Sequence, residues 1–95
     1  MNQELIEIIK SNKKYLHEKF SIKEIGIFGS HARGEESSDS DIDILVEFEK
    51  MPDLFKYIDV EIYLENLLHK KIDLVEKKSI RTELMERILQ EVQYI

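Results

Sequence analysis

A chain of 95 residues with no cysteine has neither a disulfide framework nor a thiolate metal site, yet it is long enough to bury roughly 60–70% of its unfolded surface. Its 20 acidic against 14 basic residues give a formal charge of −6, which argues against broad nucleic-acid binding through a basic surface but not against a nucleotide arriving as its magnesium complex. No apolar run approaches the ~20 residues that cross a bilayer, and residues 1–10 lack the basic start and unbroken apolar core of a signal peptide, so a soluble, cytoplasmic, single domain over 1–95 is expected.

Residues 2–19 read as one amphipathic helix, because Leu5, Ile8, Ile9, Asn12 and Leu16 recur at three- and four-residue steps while Glu4, Glu7, Lys10 and Lys13 face elsewhere. Residues 22–28 read as a short strand with Ile25, Ile27 and Lys23 on one face, Ile22 and Phe28 on the other, and a break at Gly29. Residues 30–34 open a short helical turn, and 35–40, rich in Glu, Ser and Asp, form a solvated loop. A second strand over 41–48 puts Asp41, Asp43 and Leu45 on one face and buries Ile42, Ile44 and Val46 on the other. Beyond Pro52, Asp53 caps a helix over 54–68 that turns Leu54, Phe55, Ile58, Ile62 and Leu68 inward and ends in His69, Lys70 and Lys71. Residues 71–76 form a third strand, and Ser79 caps a last helix over 80–90 with Leu84, Ile88 and Leu89 inward. This order predicts an α+β fold, a small mixed sheet with helices packed on one side and the loop after the first strand at its rim.

Strands disfavour aspartate, so two of them at alternate positions among Ile, Leu and Val are a local cost that folding does not require. Asp41, Asp43 and Asp73 supply hard oxygen donors of the kind Mg²⁺ takes together with phosphate and water. Two such ions roughly 3.5–4 Å apart can stabilise both the attacking and leaving oxygens of an in-line displacement at phosphorus. The alternative makes Asp41 a loop-end residue and Asp73 a solubilising charge on an edge strand. Gly29 and Ser30, at a strand end opening a helical turn, offer backbone N–H groups and a hydroxyl to terminal phosphates; otherwise they form a plain turn with Ser30 as the cap. Arg33, one turn on, reaches either a phosphate or Glu35 and Glu36. His31 points to solvent or packs locally, since no second His and no positioned acid accompanies it. Ser37, Ser38 and Ser40 lack the elbow and His partner of a serine nucleophile. Lys77, Lys78 and Arg81 form a basic rim or a solvated turn.

Gly29-Ser30, ten residues, then Asp41-x-Asp43, then Asp73 on a later strand, resembles the DNA polymerase β-like nucleotidyltransferase superfamily. With Ala32-Arg33-Gly34 and the run from Ser40 to Phe48, nearly the whole chain is similar to its minimal nucleotidyltransferase (MNT) branch. The resemblance implies a polymerase β-like core and Mg²⁺-dependent transfer of AMP from ATP, with release of pyrophosphate. By that likeness Gly29 and Ser30 hold the phosphates, Asp41 and Asp43 bind both metals, and Asp73 completes the site and helps deprotonate the acceptor hydroxyl. It also implies a partner, a helical HEPN toxin neutralised by this chain as its antitoxin, with a toxin tyrosine as acceptor. Apolar residues near Tyr94 and Ile95 or on the 54–68 helix are candidates to meet it. Neutralisation by binding alone and transfer to a small molecule are the alternative functions.

Overall fold

The computed structural model describes residues 2–95; the part of the leader argument that falls on Met1 lies outside them. The first amphipathic stretch is two helices, α1 (Asn2–Ser11) and α2 (Lys13–Phe20), where one was expected. The break is local chemistry at Asn12. Its Nδ2 donates to the Ile8 carbonyl at 2.8 Å and its Oδ1 accepts from the Tyr63 hydroxyl at 3.0 Å, so the side chain competes for a backbone acceptor of α1 and ties the break to a later helix.

Strand β1 (Ile22–Phe28) runs antiparallel to β2 (Ile42–Phe48), and β2 is parallel to β3 (Ile72–Glu76). A parallel pair needs a crossover, supplied here by α4 (Leu54–Leu68), whose cap Asp53 accepts from the Lys56 N–H at 2.8 Å as the sequence predicts. Between β1 and β2 lies α3 (Ser30–Arg33), and α5 (Thr82–Glu91) follows β3 through a 3-10 turn over Lys77–Ser79. Arg81 rather than Ser79 therefore stands at the N-cap of the last helix, because the 3-10 turn takes up Ser79. A two-residue strand, β4 (Gln93–Tyr94), completes a mixed sheet of order β3-β2-β1-β4. It went unpredicted because two residues carry no periodicity. Its signal is Gly26, where any Cβ would crowd Val92 Cγ2 at 2.7 Å and the Gln93 carbonyl at 3.0 Å.

The main core lies between one sheet face and α1, α2 and α4, joining Ile25, Ile27, Ile42, Ile44, Val46 and Leu74 to Ile9, Leu16, Val60 and Leu64. Ile22 belongs to this face too, not to the face of Phe28: the register of β1 shifts between Ile22 and Glu24, and the extra residue reverses the alternation. On α4 the inward face is Val60, Leu64 and Leu68; of the expected set only Leu68 is buried, while Leu54 and Phe55 are 69% and 79% exposed and Ile58 and Ile62 lie open with them. The polar ends of Tyr57 and Tyr63 explain the choice of face. Tyr57 donates to the Leu74 carbonyl at 2.7 Å and Tyr63 to Asn12, so each buries its ring and still satisfies its hydroxyl. The opposite sheet face is covered only in part, by α5, where Ile88 meets Phe28 and Leu45 while Leu84 and Leu89 stay exposed. No helix among the described residues is long and apolar enough to cross a membrane.

Candidate active site

The thinly covered face is where the strand aspartates project. In β2 and β3 the alternation sends Ile42, Ile44, Ile72 and Leu74 into the main core, which leaves Asp43 and Asp73 on the other side. Parallel pairing then sets Asp43 directly beside Asp73. Asp43 is half-buried, and burial lifts its pKa above the ordinary carboxylate value; the charges of Asp73, Asp41 and Glu91 lift it further, against an opposing pull from Arg33.

Gly29 ends β1 with φ 74° and ψ −152°, backbone angles essentially closed to any residue with a Cβ. A Cβ there would also collide with Asp43 Oδ2, so this glycine both makes the turn into α3 and leaves room for the carboxylate. Gly29, rather than Ser30, stands at the N-cap of α3, and its carbonyl accepts from the Arg33 N–H at 3.1 Å. Gly34 closes the turn in the left-handed region. The His31 ring packs locally: it is 2% exposed, with neither nitrogen hydrogen-bonded, and burial lowers its pKa.

These elements enclose a cleft of about 420 Å³. Gly29, Ser30, Arg33, Asp43 and Asp73 line it from the sheet and the α3 turn; Arg87, Ile88 and Glu91 line it from α5. Asp41 precedes β2, is exposed, and falls outside that lining, though its charge is felt at Asp43. Arg33 pairs with Glu35, Nε to Oε1 at 3.0 Å, and with Glu91, Nη1 to Oε2 at 2.9 Å, so one of its two expected acidic neighbours is engaged. Lys77 lies away from the cleft, paired with Glu24 at 3.2 Å and 5.4 Å from the Tyr94 ring centre.

Among the described residues, no three or more His, Cys, Asp or Glu side chains stand close enough to hold a metal ion unaided. The donor set nonetheless fits Mg²⁺, which binds through one or two carboxylates and completes its octahedron with water and substrate phosphate. The negative charge gathered around Asp43 is of the kind such a cation neutralises.

Arg87 and Glu91 were not found from the sequence. Their signal is their spacing, because Leu84, Arg87, Ile88 and Glu91 share one stripe of α5, so charged residues share the face of a buried isoleucine.

The sequence matches the family described as the nucleotidyltransferase domain over residues 8–95. It is 47% identical over 93 residues to the protein adenylyltransferase MntA of Thermococcus cleftensis, covering 98% of this chain and 94% of that protein. Among solved structures, one described as a minimal nucleotidyltransferase superposes with a TM-score of 0.80 at 31% identity, over 95% of this chain and 92% of the other. A further likeness, of fold alone at 22% identity and TM-score 0.63, is to a Shewanella oneidensis structure of a tri-AMPylated HEPN toxin in complex with MNT antitoxin; it covers 97% of this chain and 66% of that one.

Proposed function

The chain belongs to the nucleotidyltransferase domain family and is an enzyme of that class; from this premise we propose that it is a protein adenylyltransferase, moving AMP from Mg²⁺-bound ATP to a tyrosine hydroxyl of a HEPN toxin for which it is the antitoxin. The observation that carries this reading is the pairing of Asp43 with Asp73 beside the Gly29 turn, in one cleft. Its chemical class rests also on near full-length similarity to a named protein adenylyltransferase.

In the proposed reaction the acceptor oxygen attacks the α-phosphorus of ATP, a new O–P bond forms, the bond to the bridging oxygen breaks, and pyrophosphate leaves with that electron pair. Asp43 and Asp73, which line the cleft, would hold Mg²⁺ together with substrate phosphate and water, with the charge of Asp41 added from just before β2, and the ion when bound would supply positive charge to the phosphate oxygens. Gly29 and Ser30 seat the terminal phosphates through backbone N–H and hydroxyl donors, and Arg33 adds a guanidinium at the same rim. Asp73 accepts the proton of the attacking hydroxyl. The catalytic gain comes from positioning and charge neutralisation, since phosphoryl chemistry asks little covalent work of the protein. The exposed Leu54, Phe55, Ile58 and Ile62 on α4 are an apolar surface available to the toxin.

The test incubates the protein with Mg²⁺, α-labelled ATP and the HEPN partner, beside an Asp41→Asn/Asp43→Asn control. Label on the partner that is absent with the control supports the enzyme. Tight complex formation and full neutralisation by the control, with no label in either case, would replace it with an antitoxin that works by occlusion.

A further inference from the structure

The turn read as the phosphate seat already holds an anion, and that anion is part of the chain. Glu91, the last residue of α5, accepts from the Gly29 N–H through Oε1 at 3.0 Å and from Arg33 Nη1 through Oε2 at 2.9 Å. One carboxylate thus bridges a backbone donor of the turn and a guanidinium, the two donor types with which proteins grip phosphate oxygens. It is the less exposed partner, 20% against 37% for Arg33. The segment behind it is fastened to the same turn: Gln93 Nε2 donates to the Ala32 carbonyl at 3.0 Å, and β4 pairs with β1 at Gly26 and Ile27. Glu91 also lines the cleft together with Asp43 and Asp73, so the latch adds a third carboxylate to a wall that already carries two. A pair serving stability alone gains nothing from those neighbours.

We propose that Glu91 is an internal competitor for the nucleotide, a carboxylate that occupies the phosphate donors of the turn and must swing away for a triphosphate to enter. This rests on the nucleotide reading given above. Its consequence is a threshold: a ligand gains the Gly29 and Arg33 donors only by outbidding a tethered anion, which a triphosphate with its metal does more readily than a monophosphate. If Glu91 holds the donors about nine-tenths of the time, the apparent affinity for the triphosphate is about tenfold below the intrinsic one.

The experiment measures binding of an ATP analogue with a non-cleavable α,β-bridge, in Mg²⁺, by calorimetry on the full chain. Glu91→Gln, which keeps the size and removes the charge, is expected to bind about tenfold more tightly than the unaltered chain, with a smaller gain for AMP. In a second measurement on the unaltered protein, the side-chain carboxyl ¹³C signal of Glu91 is expected to shift in step with saturation by the analogue. Equal or weaker binding by Glu91→Gln, or a Glu91 signal that stays in place while the analogue binds, overturns the competitor and leaves the nucleotide site standing. Absence of analogue binding by both proteins removes the nucleotide reading and the competitor with it.

Discussion

Asp43 and Asp73 are register partners in a parallel ladder, one on β2 and one on β3, so two carboxylates that are thirty residues apart in the chain stand side by side on one sheet face. Like charges paired in register repel, and the partial burial of Asp43 adds to that cost.

If the pair binds the metal and handles the acceptor proton, Asp43→Asn and Asp73→Asn each reduce AMP transfer by about a hundredfold or more, the scale of losing one electrostatic stabiliser of a developing charge. Neither loses its fold, since both side chains lie outside the main core. Label transfer from α-labelled ATP, read beside circular dichroism of the same samples, checks both halves.

The raised pKa of Asp43 fixes two signs. Its folded carboxyl holds a proton more tightly than the unfolded one, so as pH rises above the ordinary 3.8 the unfolded chain ionises first and stability falls until pH has passed the folded value. Asp43→Asn removes this loss and is expected to melt higher than the unaltered chain at neutral pH in metal-free buffer. In the other direction, Mg²⁺ must displace that proton, so the affinity of the metal-free site for Mg²⁺ falls off in acid at a pH above that of an ordinary aspartate. Asp73→Asn, by removing a neighbouring charge, moves the Asp43 titration down. Carboxyl ¹³C titration by NMR reads the shift directly.

Gly29→Ala must place a Cβ against Asp43 Oδ2 in a backbone conformation closed to alanine. A cost of about 1–3 kcal/mol is expected from the backbone alone, together with loss of transfer because Asp43 is displaced. Gly34→Ala is the informative comparison: it lies in the left-handed region at φ 74° and ψ 21° with open space around it, so it loses less stability than Gly29→Ala and keeps the carboxylates in position. Urea melts and transfer assays on the two variants separate a loss of stability from a displaced Asp43.

On α4, Leu64→Ala is expected to cost about 2–5 kcal/mol as a truncation in the core, whereas Ile62→Ala, two positions away on the exposed side, stays within about 0.5 kcal/mol. Tyr57→Phe loses the hydrogen bond to the Leu74 carbonyl and is expected to cost about 1 kcal/mol. Burial pushes the Tyr57 phenol up to about 12, so its ultraviolet titration lies well above that of a free tyrosine.

Local pattern reached the main elements and most of the polar residues that line the cleft. The alternation around Asp43, the glycine break after Phe28 and the cap at Asp53 depend on neighbours a few residues away, which is why Ile22–Phe28, Ile42–Phe48 and Leu54–Leu68 stand where periodicity and punctuation put them to within a residue. The same logic picked out Gly29, Ser30, Arg33, Asp43 and Asp73, all of which meet in the cleft, and Asp41, which lies beside it. Choices between two apolar faces were less legible. Leu54, Phe55, Ile58 and Ile62 form as good a stripe on paper as Val60, Leu64 and Leu68, and only the partners available to Tyr57 and Tyr63 decide between them.

The amino-acid sequence by itself determined the three main strands, the helix that crosses between β2 and β3, and the alternation that sets Asp43 and Asp73 apart from their apolar neighbours, because these follow from side-chain type and spacing along the chain. The tertiary structure alone decided that β2 and β3 pair in the register that joins Asp43 to Asp73, that Gly26 admits β4, and that Glu91 reaches Gly29 and Arg33. Each of these is a contact between residues far apart in sequence, set by how whole faces bury against one another, and no periodicity within a single segment encodes it.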